Sequence, residues 1–126
     1  MIPGELRYTA EHEWVRANPD GSLTFGITHH AQDALGDIVY VSMPATGASL
    51  TAGAPCGEVE STKSVSDIYA PVSGVVIEAN SALVDQPETI NTDPYGAGWM
   101  VRLQPETANA IEGLLGPVEY EALTRA

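Results

Sequence analysis

The chain has 126 residues and a mass of 13.3 kDa, with 17 acidic against 5 basic side chains, a net charge of −12 and a pI near 4.3. That length suits one domain around one core, and that charge repels nucleic acid and anionic membranes, since binding either requires a basic face. No stretch approaches the ~20 apolar residues of a membrane span, and the single cysteine, Cys56, excludes an internal disulfide and a thiolate metal cluster.

In chain order, the first residues lack the basic and apolar regions of a secretory signal, and Glu5 argues against a transit peptide. The expectation is a soluble, reduced, cytoplasmic protein, or a mitochondrial-matrix one if the chain is a mature eukaryotic form. Residues 6–16 are rich in aromatic and β-branched side chains and suit a first strand. Asn18-Pro-Asp-Gly21 predicts a turn, and Ser22 to Ile27 alternates as the returning strand. Thr28 is placed to cap a short helix from His29 to Leu35 that stops at Gly36. Asp37 to Met43 has the pattern of a buried strand ending at Pro44. Pro44-Ala-Thr-Gly-Ala-Ser-Leu50 is echoed 27 residues later by Pro71-Val-Ser-Gly-Val-Val-Ile77, as though one β unit were repeated about a pseudo-two-fold axis. A turn-rich stretch, Asn91 to Gly98, precedes a final strand over Trp99 to Leu103. An amphipathic helix is expected over Glu106 to Leu115, and a second, short one with Pro117 in its first position. No linker divides this β-rich body with its short helices.

Between the echoing segments lies the only lysine in the chain, Lys63, beside only four arginines. Lysine is ordinarily a common surface charge, so a solitary one marks a chemical handle. Val59 and Val65 are spaced as inward-facing positions on two strands, leaving Ser61-Thr62-Lys63-Ser64 as a polar tip. A Schiff-base lysine needs burial or neighbouring cations. Here Glu58, Glu60 and Asp67 favour the ammonium form, which argues against an unaided nucleophile. A protruding amine on a rigid hairpin suits covalent acylation instead. Stem and acyl chain together would then reach about 14 Å when extended.

The segment Gly57-Glu-Val-Glu-Ser-Thr-Lys63-Ser-Val-Ser-Asp-Ile-Tyr-Ala-Pro-Val-Ser-Gly74 resembles the lipoyl-bearing H proteins of the glycine cleavage system. Tyr8 to Val15, Gly26 to Val41 and Asp93 to Met100 resemble further segments of that family in the same order. Lipoyl domains of 2-oxoacid dehydrogenases usually carry Asp-Lys-Ala at the tip and biotinyl domains Met-Lys-Met, unlike Thr62-Lys63-Ser64. The resemblance implies an all-β fold with short helices, a barrel-sandwich (hammerhead) lipoyl domain with added N-terminal strands and a C-terminal helix. Residues 1–126 then form one domain, with the hammerhead over about 22–103 and the helical segment over about 106–125.

It further implies lipoate in amide linkage to Lys63, and a monomeric carrier that is not itself an enzyme. The expected partners are the pyridoxal-phosphate-dependent glycine decarboxylase, the tetrahydrofolate-dependent aminomethyltransferase and dihydrolipoamide dehydrogenase. A lipoate–protein ligase, or an octanoyltransferase with lipoyl synthase, would load the arm. By position, Glu13 and Asp67 match carboxylates that shelter the aminomethyl-loaded arm. Glu60 and Gly74 match positions linked to recognition during lipoylation. Glu11 stands where some members have serine. Glu13 and Asp67 as plain surface carboxylates, and Gly74 as a bare turn requirement, remain open alternatives.

Other readings are weaker. His29 and Asp33 share a helix face beside His30, but two ligands do not make a structural zinc site, and no metal is expected. Trp14 and Trp99 read as packing residues, and Cys56 as a small core residue. A lipoate relay, handing lipoyl groups to other domains, needs the same hairpin. An unmodified interaction module with the same fold is a third alternative. Retention of Glu13 and Asp67 favours glycine cleavage, because a relay has no amine to shelter.

Overall fold

The computed structural model describes residues 3–125. Strands β1 (Arg7–Tyr8), β2 (Glu13–Ala17), β3 (Leu23–Ile27), β9 (Val101–Pro105), β8 (Gly74–Ala79) and β5 (Ser49–Leu50) form one sheet in that spatial order. Strands β4 (Ile38–Ser42), β6 (Pro55–Ser61) and β7 (Val65–Tyr69) form the second. All ladders are antiparallel. Both sheets send side chains into one cluster that includes Phe25, Val76 and Leu103 from the first and Ile38, Val59 and Ile68 from the second. The result is a sandwich of two sheets, as the β-rich reading anticipated, and neither sheet closes into a barrel. Among the described residues, no helix is long and apolar enough to cross a membrane.

A second, smaller cluster consists of Leu6, Tyr8, Trp14 and Tyr120. Helix α4 (Pro117–Arg125) lays Tyr120 flat on Tyr8, with ring centroids 4.6 Å apart. Trp14 donates its indole N–H to the Pro94 carbonyl at 2.9 Å, and Trp99 packs against the same cluster. Both tryptophans therefore pack, as expected.

Several local readings change. Residues 6–16 are two strands, because the chain turns at Thr9 to His12. There His12 takes φ +71°, held by its N–H to the Thr9 carbonyl and its carbonyl to the Thr28 N–H. The echoing segments pair with each other, Ser49 opposite Val75 and Leu50 opposite Gly74. The last strand runs two residues later than expected, Val101–Pro105. The helix expected over 106–115 shrinks to a 3-10 turn, Ala110–Gly113. Its flanks bond elsewhere, the Glu106 N–H to the Ser73 carbonyl and Leu115 in both directions to Tyr8, so no continuous helical ladder forms.

Helix α1 (His29–Leu35) follows the sequence closely. The Thr28 hydroxyl accepts the Ala31 N–H at 3.2 Å, and Gly36 ends the helix at φ +88°, which favours glycine. Strand β4 departs from the buried-strand pattern. A bulge between Ile38 and Tyr40 keeps Ile38 and Val41 inside and turns Val39 and Tyr40 out to solvent. The short helices α2 (Ala82–Asp85) and α3 (Thr89–Thr92) lie between β8 and the turns that precede β9, and seat Leu83 and Ile90 in the core.

Candidate functional site

Strands β6 and β7 pair from Pro55–Tyr69 at the base to Glu60–Val65 at the tip, so the hairpin closes on residues 61–64. Cross-strand partners share a face. Val59 is buried and pairs with Ser66, so Ser66 points inward and Val65, paired with Glu60, points outward at 57 % exposure. The inward placement expected for Val65 is therefore corrected.

One buried hydroxyl organises the tip. Ser61 Oγ accepts the N–H groups of Lys63 and Ser64, each at 3.1 Å, and donates to the Ser64 carbonyl at 3.2 Å. The Ser61 N–H reaches the same carbonyl at 2.8 Å, and the Thr62 N–H bonds the Asp37 carbonyl at 3.1 Å. With these backbone groups satisfied, the turn is fixed to itself and to the loop entering β4. Thr62, Lys63 and Ser64 are exposed, whereas Ser61 is not part of the open tip.

Lys63 does not extend freely into water. Its stem crosses Gly36, where a Cβ would stand 3.1 Å from Lys63 Cε, and Nζ donates to the Ala34 carbonyl at 3.3 Å. Ala34 lies in the last turn of α1, where unpaired carbonyls favour a cation. Among the described residues no carboxylate pairs with Nζ. Asn91 fixes the seat from below. Its amide donates to the Gly36 carbonyl at 2.9 Å and to Gln32 Oε1 at 2.8 Å, and its oxygen accepts the Ile38 N–H at 2.9 Å. Asn91 escaped the sequence reading because its partners lie more than fifty residues away, at |i−j| of 53 to 59.

Glu13 and Asp67 occupy very different environments. Asp67 is exposed on the outer face of the hairpin, directly opposite Glu58. Glu13 is 1 % exposed; Oε1 accepts the Thr9 hydroxyl at 2.6 Å and Oε2 accepts the Tyr69 N–H at 3.1 Å. Burial pushes the Glu13 carboxyl up to about 7, against the lowering effect of those two bonds. Glu13 thus touches β7 two residues beyond Asp67. Burial also pushes the nearby half-buried Cys56 thiol up to about 11, with the Glu13 charge adding to the effect, which disfavours the thiolate form.

Glu60 stands exposed in the pair next to the tip. Gly74 is buried on the other sheet, facing Leu50 and Pro105. A Cβ there would collide with the Gln104 carbonyl oxygen and come within 2.9 Å of Leu103 Cδ1, so glycine is needed for close strand packing and not for a turn. The histidines near α1 also find partners. His29 Nδ1 takes a bond from the Gln32 amide at 2.9 Å, and His30 packs on the His12 ring at 4.5 Å. No three His, Cys, Asp or Glu side chains converge as a metal site among the described residues.

Comparison with known proteins places this hairpin in a wider context. The family model described as glycine cleavage H-protein matches residues 6–126. The chain is 52 % identical over 123 residues to a glycine cleavage system H protein of Halorhodospira halophila, covering 98 % of this chain and 95 % of that one. It is 49 % identical over 122 residues to one from Escherichia coli, covering 97 % and 95 %. The crystal structure of a glycine cleavage system H protein from Mycobacterium marinum superposes with a TM-score of 0.90 at 50 % identity, covering 99 % of this chain and 100 % of that one.

Proposed function

Because this chain belongs to the glycine cleavage H-protein family, we propose that Lys63 is the residue through which it serves as the lipoyl carrier of glycine cleavage. The observation that carries the assignment is the tip itself. It presents the one lysine of the chain on a turn locked by Ser61, with its nitrogen exposed and free of carboxylate partners among the described residues. A covalent acyl group fits there. Among the described residues the ammonium gives up one protein hydrogen bond, to the Ala34 carbonyl, when it becomes an amide.

Held in amide linkage on Lys63, lipoate would supply a disulfide able to carry the aminomethyl group left when glycine decarboxylase releases carbon dioxide, to give up its one-carbon unit at the aminomethyltransferase with loss of ammonia, and to be reoxidised from the dithiol through dihydrolipoamide dehydrogenase. The chain's own residues support, orient and shelter that group. Asp67 lies on the hairpin's outer face, four residues from Lys63, where a carboxylate can pair with a cationic amine. Glu13 contributes from beneath β7 once its bonds to Thr9 or Tyr69 yield. Glu60 marks the hairpin for the enzyme that loads it. Gly74 contributes through the backbone packing of β8 that supports the sandwich.

Glycine cleavage is favoured over lipoate relay because Asp67 lies on β7, the strand that leaves the Lys63 tip, and Glu13 accepts a bond from Tyr69 on that same strand. The test is the intact mass of the chain expressed in lipoate-replete cells, followed by glycine- and tetrahydrofolate-dependent turnover with the purified partner enzymes. A lipoyl adduct on Lys63 and turnover are expected. An unmodified lysine would overturn the assignment.

A further inference from the structure

Lys63 is bordered on one side by a surface that the carrier role leaves unexplained. Tyr40 pairs with Glu60 and Glu60 with Val65, so the three side chains stand in a row across β4, β6 and β7. Tyr40 is 54 % and Val65 57 % exposed, and the β4 bulge adds Val39 at 50 %. The next row is Ser42, Glu58 and Asp67. No arginine lies on these strands, and Lys63 is the only lysine of the chain. The face is therefore an apolar pair divided by one carboxylate, backed by two more.

We propose that the Tyr40–Glu60–Val65 row is the docking surface for the enzyme that acylates Lys63, and that Tyr40 and Val65 determine its affinity. This rests on the lipoyl-carrier reading and goes beyond it, since it assigns two apolar residues to recognition beside the expected Glu60. Reach selects the occupant. An acylating enzyme must bring its activated acyl carbon to Nζ itself, so its contact surface includes the row next to the turn. Enzymes that act on the finished arm meet its far end, about 14 Å away. Charge selects the partner's chemistry: a cation seated between apolar side chains, matching the carboxylate between Tyr40 and Val65.

The test uses the full chain with a purified lipoate–protein ligase, lipoate and ATP, following the mass increase. In that reaction lipoate and ATP form the acyl adenylate with release of pyrophosphate, Nζ forms an amide with its acyl carbon as the bond to AMP breaks, and two of the three ammonium protons pass to solvent. Tyr40→Ser with Val65→Ser is expected to lower kcat/KM for acylation at least tenfold, mainly through KM. The same variant, loaded to completion with excess ligase, is expected to keep its turnover with dihydrolipoamide dehydrogenase. Glu60→Gln is expected to flatten the salt dependence of acylation. Unchanged acylation by the double variant overturns the proposal. So does an equal loss with the dehydrogenase, which would make the row a general docking face. Failure of the unaltered chain to acquire any adduct would instead overturn the carrier reading, and this proposal with it.

Discussion

Lys63 lies across Gly36, and the missing side chain of that glycine makes the space for the lysine stem. A Cβ at Gly36 would stand 3.1 Å from Lys63 Cε and 3.7 Å from Nζ. The same glycine ends α1 at φ +88° and ψ −157°. One residue thus stops the helix, turns the chain into β4 and forms the ledge beneath the amine. Gly36→Ala is expected to cost about 1–3 kcal/mol from backbone strain and to displace the lysine stem. Chemical denaturation measures the first effect. Loss of the nuclear Overhauser contact between Lys63 and residue 36 reports the second.

The Ser61 hydroxyl satisfies two backbone N–H groups and donates once. Ser61→Ala removes one buried oxygen and leaves two donors without a protein partner. A destabilisation of about 1–2 kcal/mol is expected, with faster amide hydrogen exchange at Lys63 and Ser64 and little change elsewhere. Uniform acceleration through the whole hairpin would show that Ser61 matters to the sheet and not to the tip.

Lys63→Arg keeps the positive charge and a donor for the Ala34 carbonyl but removes the acylable amine. Stability is expected to remain within about 0.5 kcal/mol of the unaltered chain, as for other exposed substitutions. Lipoylation and glycine-dependent turnover should vanish together. Intact mass and a coupled NADH assay read the two outcomes on one preparation.

How far the sequence went is clearest at the hairpin. Lys63 at a tip between strands and Thr28 with Gly36 around α1 were legible, because local alternation and capping chemistry specify them. The side on which Val65 lies was not, because it depends on turn length. Here residues 60 and 65 pair, so Val59 shares its face with Ser66. The run Ile38-Val-Tyr-Val41 looked uniformly buried, and only the bulge decides which two of the four face solvent. The 106–115 segment has helical periodicity, but its ends are claimed by Ser73 and Tyr8. The seat formed by Gly36, Asn91 and Ala34 comes from contacts distant in sequence, which no local pattern encodes.

Glu13 gives a pH signature of its burial. Its ordinary value of 4.5 rises to about 7 in the folded chain, with burial as the main cause. Between those values the unfolded chain has lost the proton while the folded chain keeps it. The folded state then binds more protons, so this group makes stability fall as pH rises from 4.5 to about 7. The loss amounts to on the order of 3 kcal/mol at most. His12 acts in the opposite sense. Burial, followed by the neighbouring His30, lowers it below its ordinary value, so its contribution rises with pH where the unfolded imidazole is still charged and the folded one is not. The two effects overlap, and the raw profile of the unaltered chain mixes them. Glu13→Gln cannot ionise and leaves His12 in place, so the difference between the two denaturation profiles isolates Glu13. Relative to the unaltered chain, the glutamine variant is expected to gain stability steadily from pH 4.5 to 7 and to level off above that range. A flat difference would mean that the carboxyl ionises as readily in the folded chain as in water, and that its bonds to Thr9 and Tyr69 fully offset its burial.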